Sequence, residues 1–276
     1  MSSSLKRWTG LGLGAALAGG TLAACGNPAP ATDQAEVEIA APTPPIETPE
    51  PEATEAGEGE GGVVFAQATK DPVVFLSILA ITEAHIIAAR DAHAFGETEA
   101  AAEMFAHPVS EVLFESQSVF EQLGVSDFSD LLSETSAAVI AGETPEQIRL
   151  RAEAIIAELR AAAEKAPQTD VSAARIAAGV AVDQIERAAD MYRIALEVDA
   201  YEPYLDGYGF FKAGEAVFLE SAEDIAAEDQ DAASAIKDAL AKLEDAYPSA
   251  VRPESPEADL GAVTVAASNA ILAVQN

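Results

Sequence analysis

The sequence predicts an all-α protein, an antiparallel helical bundle of about eight helices, with two four-helix sets as one arrangement of them. Three observations carry this. Helix start and stop signals follow one another along the chain after residue 70, and no segment sustains period-two alternation with β-branched residues. Aromatics make up only 6% of the 276 residues while alanine is abundant, which disfavours a β-sandwich and favours helices.

The elements follow in order. Asp71 caps, and Pro72 takes the first position of a strongly apolar helix from Val73 to about Phe95, stopped by Gly96. Thr98 opens a second helix that reaches Leu123 before Gly124. Pro108 lies inside it, where proline removes one backbone hydrogen bond, frees the carbonyl of Met104 and bends the helix beside His107. A third helix runs from about Phe128 to Ala141 before Gly142. Thr144-Pro145-Glu146-Gln147 reads as a capping box and opens a helix to about Ala166, before Pro167. Asp170 begins a long amphipathic helix to about Asp199; others span Pro203 to about Ala227, Gln230 to Tyr247, and about Glu257 to Val274. Short connections argue for antiparallel neighbours. A four-residue match, Glu111-Val112-Leu113-Phe114 against Glu215-Ala216-Val217-Phe218, is slight support for two related halves.

Before residue 63 the chain reads as an address and a tether. Lys6 and Arg7 give a positive start, and Leu11 to Ala24 is a small-residue apolar stretch too short for a stop-transfer helix. Leu22-Ala23-Ala24-Cys25 resembles the lipobox of bacterial lipoproteins, and the only cysteine stands where that motif needs it. The resemblance implies that residues 1–24 are a removed signal peptide. It also implies that Cys25 carries the lipid (palmitate among its acyl chains), so that the mature chain is a membrane-anchored, extracytoplasmic lipoprotein. More than one acyl chain is what stable anchoring requires. Gly26, where retention at an inner membrane would use Asp, implies the outer membrane in a Gram-negative cell. Residues 25–62 continue as a Pro-, Ala- and Glu-rich tether with nine acids and no base. Such a segment cannot bury enough apolar surface to offset its ordering entropy, and its composition predicts an extended, disordered linker. Residues 63–276 form the helical-bundle domain.

Charge and cysteine content exclude several functions. With 47 acids against 15 bases, a formal −32, the chain would approach nucleic acid against its own repulsion, so no nucleic-acid partner is expected. Beyond residue 62 there remain 38 acids and 13 bases, hence −25, so most of the acidity belongs to helix surfaces. That suits a cation-rich exterior as well as it suits a metal function. One cysteine excludes an internal disulfide and any site built from several thiolates.

The candidate chemistry lies in the first two helices, which hold all three histidines. His85 shares the inward face of Ile78 and Ile81. Glu103, His107 and Glu111 stand at i, i+4 and i+8, stacked along one helix face. An antiparallel hairpin brings His85 level with His107, and two imidazoles with two carboxylates suit an iron, copper or zinc ion in a bundle core. A shared ion requires the two rings to lie within about 5 Å of each other over a common cavity. A plainer account is also open: Glu103 and Glu111 are solvated, and His85 is a core histidine bonded to a backbone carbonyl. His93, near a helix C-terminus, reads as exposed.

A second, acidic set comes later. Glu202 and Asp206 form an i, i+4 pair among Tyr201, Tyr204 and Tyr208, and Asp183, Glu186 and Asp190 make a stripe on the preceding helix. Glu202, Asp206 and Asp190 are candidates for a hard-ligand site to which tyrosine adds a phenolate. In a chain this acidic such stripes are usually solvated faces, with the aromatics in the core.

His85, then Glu103-x-x-x-His107-Pro108-x-x-Glu111, then Tyr201-Glu202-x-Tyr204-x-Asp206 ahead of Gly209-Phe210, resembles a group of exported bacterial helical proteins. Over roughly residues 75 to 220 it is distantly similar to the extracytoplasmic domain of high-affinity iron permeases and to imelysin-like iron-uptake proteins. The resemblance implies a bundle that handles metal ions outside the cytoplasm. It departs from both: His85 is followed by Ile86-Ile87-Ala88-Ala89 and not by the Gly-x-His-x-x-Glu pattern of imelysin-like proteins, and the permeases' Arg-Glu-Gly-Glu motif is missing. Neither family's site carries over, and transport by this chain itself is not expected.

Catalysis is not expected either, since no Gly-x-Ser-x-Gly elbow, phosphate-binding glycine loop or His-Glu-x-x-His occurs. The sequence therefore points to a lipid-anchored bundle that binds a transition-metal ion for uptake or homeostasis. The alternative is a non-catalytic envelope scaffold that binds a protein partner and no metal.

Overall fold

A computed structural model describes residues 65–198 and 200–275; the expected signal peptide, Cys25 and the expected tether fall outside the described residues. After a 3-10 turn at Phe65–Gln67, the Val73 amide donates to the Asp71 carboxylate at 2.8 Å and starts α1 (Pro72–Ala94). By length and composition α1 could cross a membrane, but most of it is buried inside the bundle, as a central core helix is.

The second helical run is not uniform. It consists of α2 (Thr98–Pro108), a π-helical turn (Val109–Leu113) and α3 (Phe114–Leu123), followed by Gly124 in the left-handed region at φ 69°. Pro108 has no N–H to give the preceding turn, and the chain accommodates the lost bond by widening the next turn. Residues after His107 are thereby displaced around the axis from their expected stacking.

The remaining helices are α4 (Ser129–Ile140), α5 (Pro145–Ala163), α6 (Ala173–Val198), α7 (Glu202–Glu228), α8 (Gln230–Ala246) and α9 (Leu260–Gln275). The capping box forms as expected, with the Gln147 amide donating to Thr144 Oγ1 and the Thr144 amide donating to Gln147 Oε1. Asp229 accepts from the amides of Asp231 and Ala232, and α8 begins there. Counting α2 to α3 as one run gives the expected eight helices, and among the described residues there is no strand.

Helices from both halves of the chain share one core. α1 packs on α2, α5, α6 and α7; α6 packs most extensively on α7 and also meets α8 and α9. Ser136 on α4 donates to the Ala102 carbonyl at 2.7 Å, tying α4 to α2.

The tyrosines pin the long connection between α8 and α9. Tyr192, Tyr201 and Tyr204 donate to the carbonyls of Ala258, Ala250 and Ser249 at 3.1, 2.9 and 2.9 Å. Tyr247 donates to the Ala188 carbonyl at 2.7 Å, and its ring lies 5.6 Å from Tyr192 and 5.1 Å from Tyr204. Each hydroxyl thus meets a backbone acceptor that would otherwise be costly to bury.

Tyr247 is held so firmly that α7 must carry glycine beneath it. A Cβ on Gly207 would lie 1.8 Å from the Tyr247 hydroxyl oxygen and 3.0 Å from Met191 Cβ. Gly to Ala inside a helix ordinarily gains about 0.5–1 kcal/mol. Here the clash reverses the sign, and Gly207→Ala is expected to lose about 1–3 kcal/mol of stability in a denaturant titration. A stabilised variant would show that Tyr247 does not occupy this position.

Candidate metal centre

His85 sits on the innermost stretch of α1, 2% exposed. Its Nδ1 lies 2.8 Å from the Ile81 carbonyl, one turn earlier. A carbonyl only accepts, so Nδ1 carries the proton, and in the neutral ring the lone pair is on Nε2. This is the arrangement that orients histidine as a metal ligand through the opposite nitrogen. The plainer account of His85 as a carbonyl-bonded core residue is therefore correct for Nδ1.

Nε2 of His85 lies 3.7 Å from Oδ1 of Asp206, itself only 8% exposed. Asp206 reaches this position because α7 lies hard against α1. A Cβ on Gly209 would fall 2.4 Å from the Ala84 carbonyl oxygen and 3.1 Å from Ala88 Cβ. Only a residue without a side chain permits that approach, and Asp206 stands just one helical turn before it. Phe210 closes the apolar side, its ring edge-on to His85 at 5.8 Å, with the Arg187 guanidinium 6.0 Å from the Phe210 ring centroid.

His107, near the end of α2, supplies the third donor. Its ring centroid is 6.1 Å from that of His85 at an interplanar angle of 71°. The rings are thus further apart than 5 Å between centres, but one donor atom each from His85, His107 and Asp206 lie within 4.8 Å of one another. Donors around a tetrahedral zinc, each about 2.0–2.2 Å from the ion, stand roughly 3.3–3.5 Å apart. The His85–Asp206 pair, at 3.7 Å, is close to that spacing.

The structure redistributes the residues expected from sequence. Glu103 points to solvent and does not join the group. Glu111 lies in the π turn, half-buried with Oε2 out of solvent, and is not one of the three clustered donors. From the acidic set, Asp206 moves to His85, while Glu202 places Oε1 3.8 Å from His107 Nε2. Asp190 stays on the surface, 3.8 Å from Arg193. The tyrosines offer no phenolate. Tyr208 donates to Asp91 at 2.8 Å, the others donate to carbonyls, and burial pushes the phenols of Tyr201, Tyr204 and Tyr208 up, keeping them protonated.

His93 requires a correction. It is 7% exposed, and its Nδ1 is buried with no hydrogen-bond partner among the described residues. The connection between α1 and α2 is only three residues long, so α2 folds straight back over the last turn of α1. Position near a helix end did not confer exposure. The sequence reading also missed Gly209 as a spacer; the signal available was a glycine pair, Gly207 and Gly209, inside the aromatic-rich first half of a helix.

Two outcomes follow. Gly209→Ala should lower unfolding stability by about 1–3 kcal/mol in denaturant, because a backbone carbonyl cannot swing aside; no loss would place α7 away from α1. The acidic stripe on α6 makes a pH prediction. Burial first, then Asp183 and Asp190, raises the Glu186 carboxyl above its ordinary range. Its folded value therefore exceeds the unfolded one of about 4.3. The carboxyl's contribution is complete below that unfolded value and is lost as pH rises through the folded one. Glu186→Gln should raise the Tm at pH 7 and leave it nearly unchanged at pH 4, as read by thermal melts at both pH values.

No family model, curated protein or solved structure matches this chain, and the site is read from its own geometry and chemistry.

Proposed function

We propose that this chain is a lipid-anchored extracytoplasmic protein whose helical bundle binds a transition-metal ion through His85, His107 and Asp206, for uptake or homeostasis. The single observation that supports it most is the convergence of three donor atoms from three helices, all within 4.8 Å, two of the residues being almost wholly buried. Burying an imidazole beside a carboxylate opposes folding unless something compensates for the lost solvation. A cation between them is such a compensation.

The donors narrow the choice of ion. Imidazole and carboxylate suit iron, copper or zinc in their divalent forms, while the absence of a thiolate in the group disfavours cuprous ion. Two imidazoles also argue against calcium and magnesium, which prefer oxygen alone. Binding, not catalysis, is the reading adopted. The sequence holds none of the nucleophile or phosphate motifs sought, and the lipobox resemblance supports a role in capturing or handing on ions at a membrane surface.

Metal analysis of the purified protein tests it. The wild type should carry close to one equivalent of zinc, iron or copper after loading and desalting, and His107→Ala should lose most of it while keeping its helical circular dichroism. No metal above background in the wild type would overturn the reading and leave the scaffold alternative.

A further inference from the structure

We infer that Glu202 is the fourth ligand of this centre and the one that exchanges, so that the ion enters and leaves past the first turn of α7. The inference rests on the metal reading above and adds to it a donor, an entry side and a kinetic role.

Three protein donors leave a tetrahedral ion with an open position. Glu202 is not one of the three clustered donors, but its carboxylate stands beside His107 at the outer side of the group. Its Oε1 lies 3.8 Å from His107 Nε2, and it precedes Asp206 by four residues on α7, so both carboxylates rise from one face of that helix. Each carboxylate faces one histidine: Asp206 faces His85, and Glu202 faces His107.

Charge balance supports the same count. Two neutral imidazoles and two carboxylates make a set of −2, which a divalent ion neutralises. With Asp206 alone the buried centre would keep a net positive charge, which is costly away from water.

Exposure then separates the ligands into an inner and an outer pair. His85 and Asp206 have side chains 1% and 8% exposed, whereas those of His107 and Glu202 are 20% and 54% exposed. The inner pair is locked by the Ile81 carbonyl and by the Gly209 contact. Glu202 is the most exposed of the four and stands at the first residue of α7. A long carboxylate in that position can bind the ion in solvent, turn inward to complete the site, and turn out again to release it. That describes a site built for transfer, in contrast to a closed structural one.

The test uses the whole chain loaded with Co2+, whose visible absorption reports ligand number and geometry. Glu202→Gln is expected to retain one equivalent of ion, to alter the visible bands, and to release Co2+ to excess EDTA about 10–100 times faster than the wild type. Glu202→Ala should behave alike, and Asp206→Asn should lose stoichiometry. Wild-type bands and release rate in Glu202→Gln would overturn the inference while leaving the metal reading standing. If only Glu202→Ala weakens the ion, Glu202 is an acceptor for the His107 ring and not a ligand, and the inference fails. A wild type that takes up no Co2+ removes both.

Discussion

The approach of α7 to α1 at Gly209 is the contact on which the site depends. Ordinary helix packing leaves 8–10 Å between axes, and the side chains at the contact set the figure. Here one backbone meets the other's carbonyl at Ala84, so the lower limit applies. That closeness brings Asp206 to His85 and Phe210 to the edge of the same ring. Gly207 and Gly214 perform the same service toward Tyr247 and toward Gln184 on α6. Gly207 and Gly214, seven residues apart, share a face, so α7 is closely approached on two sides, each time at a residue with no side chain.

Such confinement explains how a carboxylate can remain so deep in the bundle. Replacing a buried ion pair with apolar side chains of similar volume is often neutral or stabilising. An aspartate between Leu205 and Gly207, among tyrosine and phenylalanine, thus carries a desolvation cost that its contacts, the His85 ring among them, have to offset. The fold has the means to carry this burden. Four tyrosine hydroxyls satisfy backbone carbonyls, and a continuous apolar core runs from α1 to α9.

Local signals made the helices legible. Asp71-Pro72, the capping box at Thr144 and the glycines after α3 and α4 each act within one turn, so their consequences could be read from neighbouring residues. His85 was legible for the same reason, since its inward face follows from Ile78 and Ile81 one and two turns away. The partners were not. Stacking at i, i+4 and i+8 pointed from His107 to Glu103 and Glu111, yet one of these faces water and the other lies in a turn widened after Pro108. The acids that do meet the histidines lie about a hundred residues further on. Their own spacing, Glu202 to Asp206, was visible, but which helix they would face is set by Gly209, Ala84 and the packing of α7, none of which is a local property.

The large negative charge now divides into two parts with different physical roles. Surface acids such as Asp183, Glu186 and Asp190 stand close together on α6, and their joint field draws cations of every kind toward the surface. A field of that sort is screened within about 8–10 Å at physiological salt and does not distinguish zinc from magnesium. Discrimination requires nitrogen donors, and the clustered group draws its two from the histidines of α1 and α2. In the proposed reading, surface charge governs how often an ion arrives, and the buried His85–Asp206 pair governs which ion stays. Glu202 belongs to both regimes: it is exposed enough to meet an ion in solvent and close enough to His107 to pass it inward.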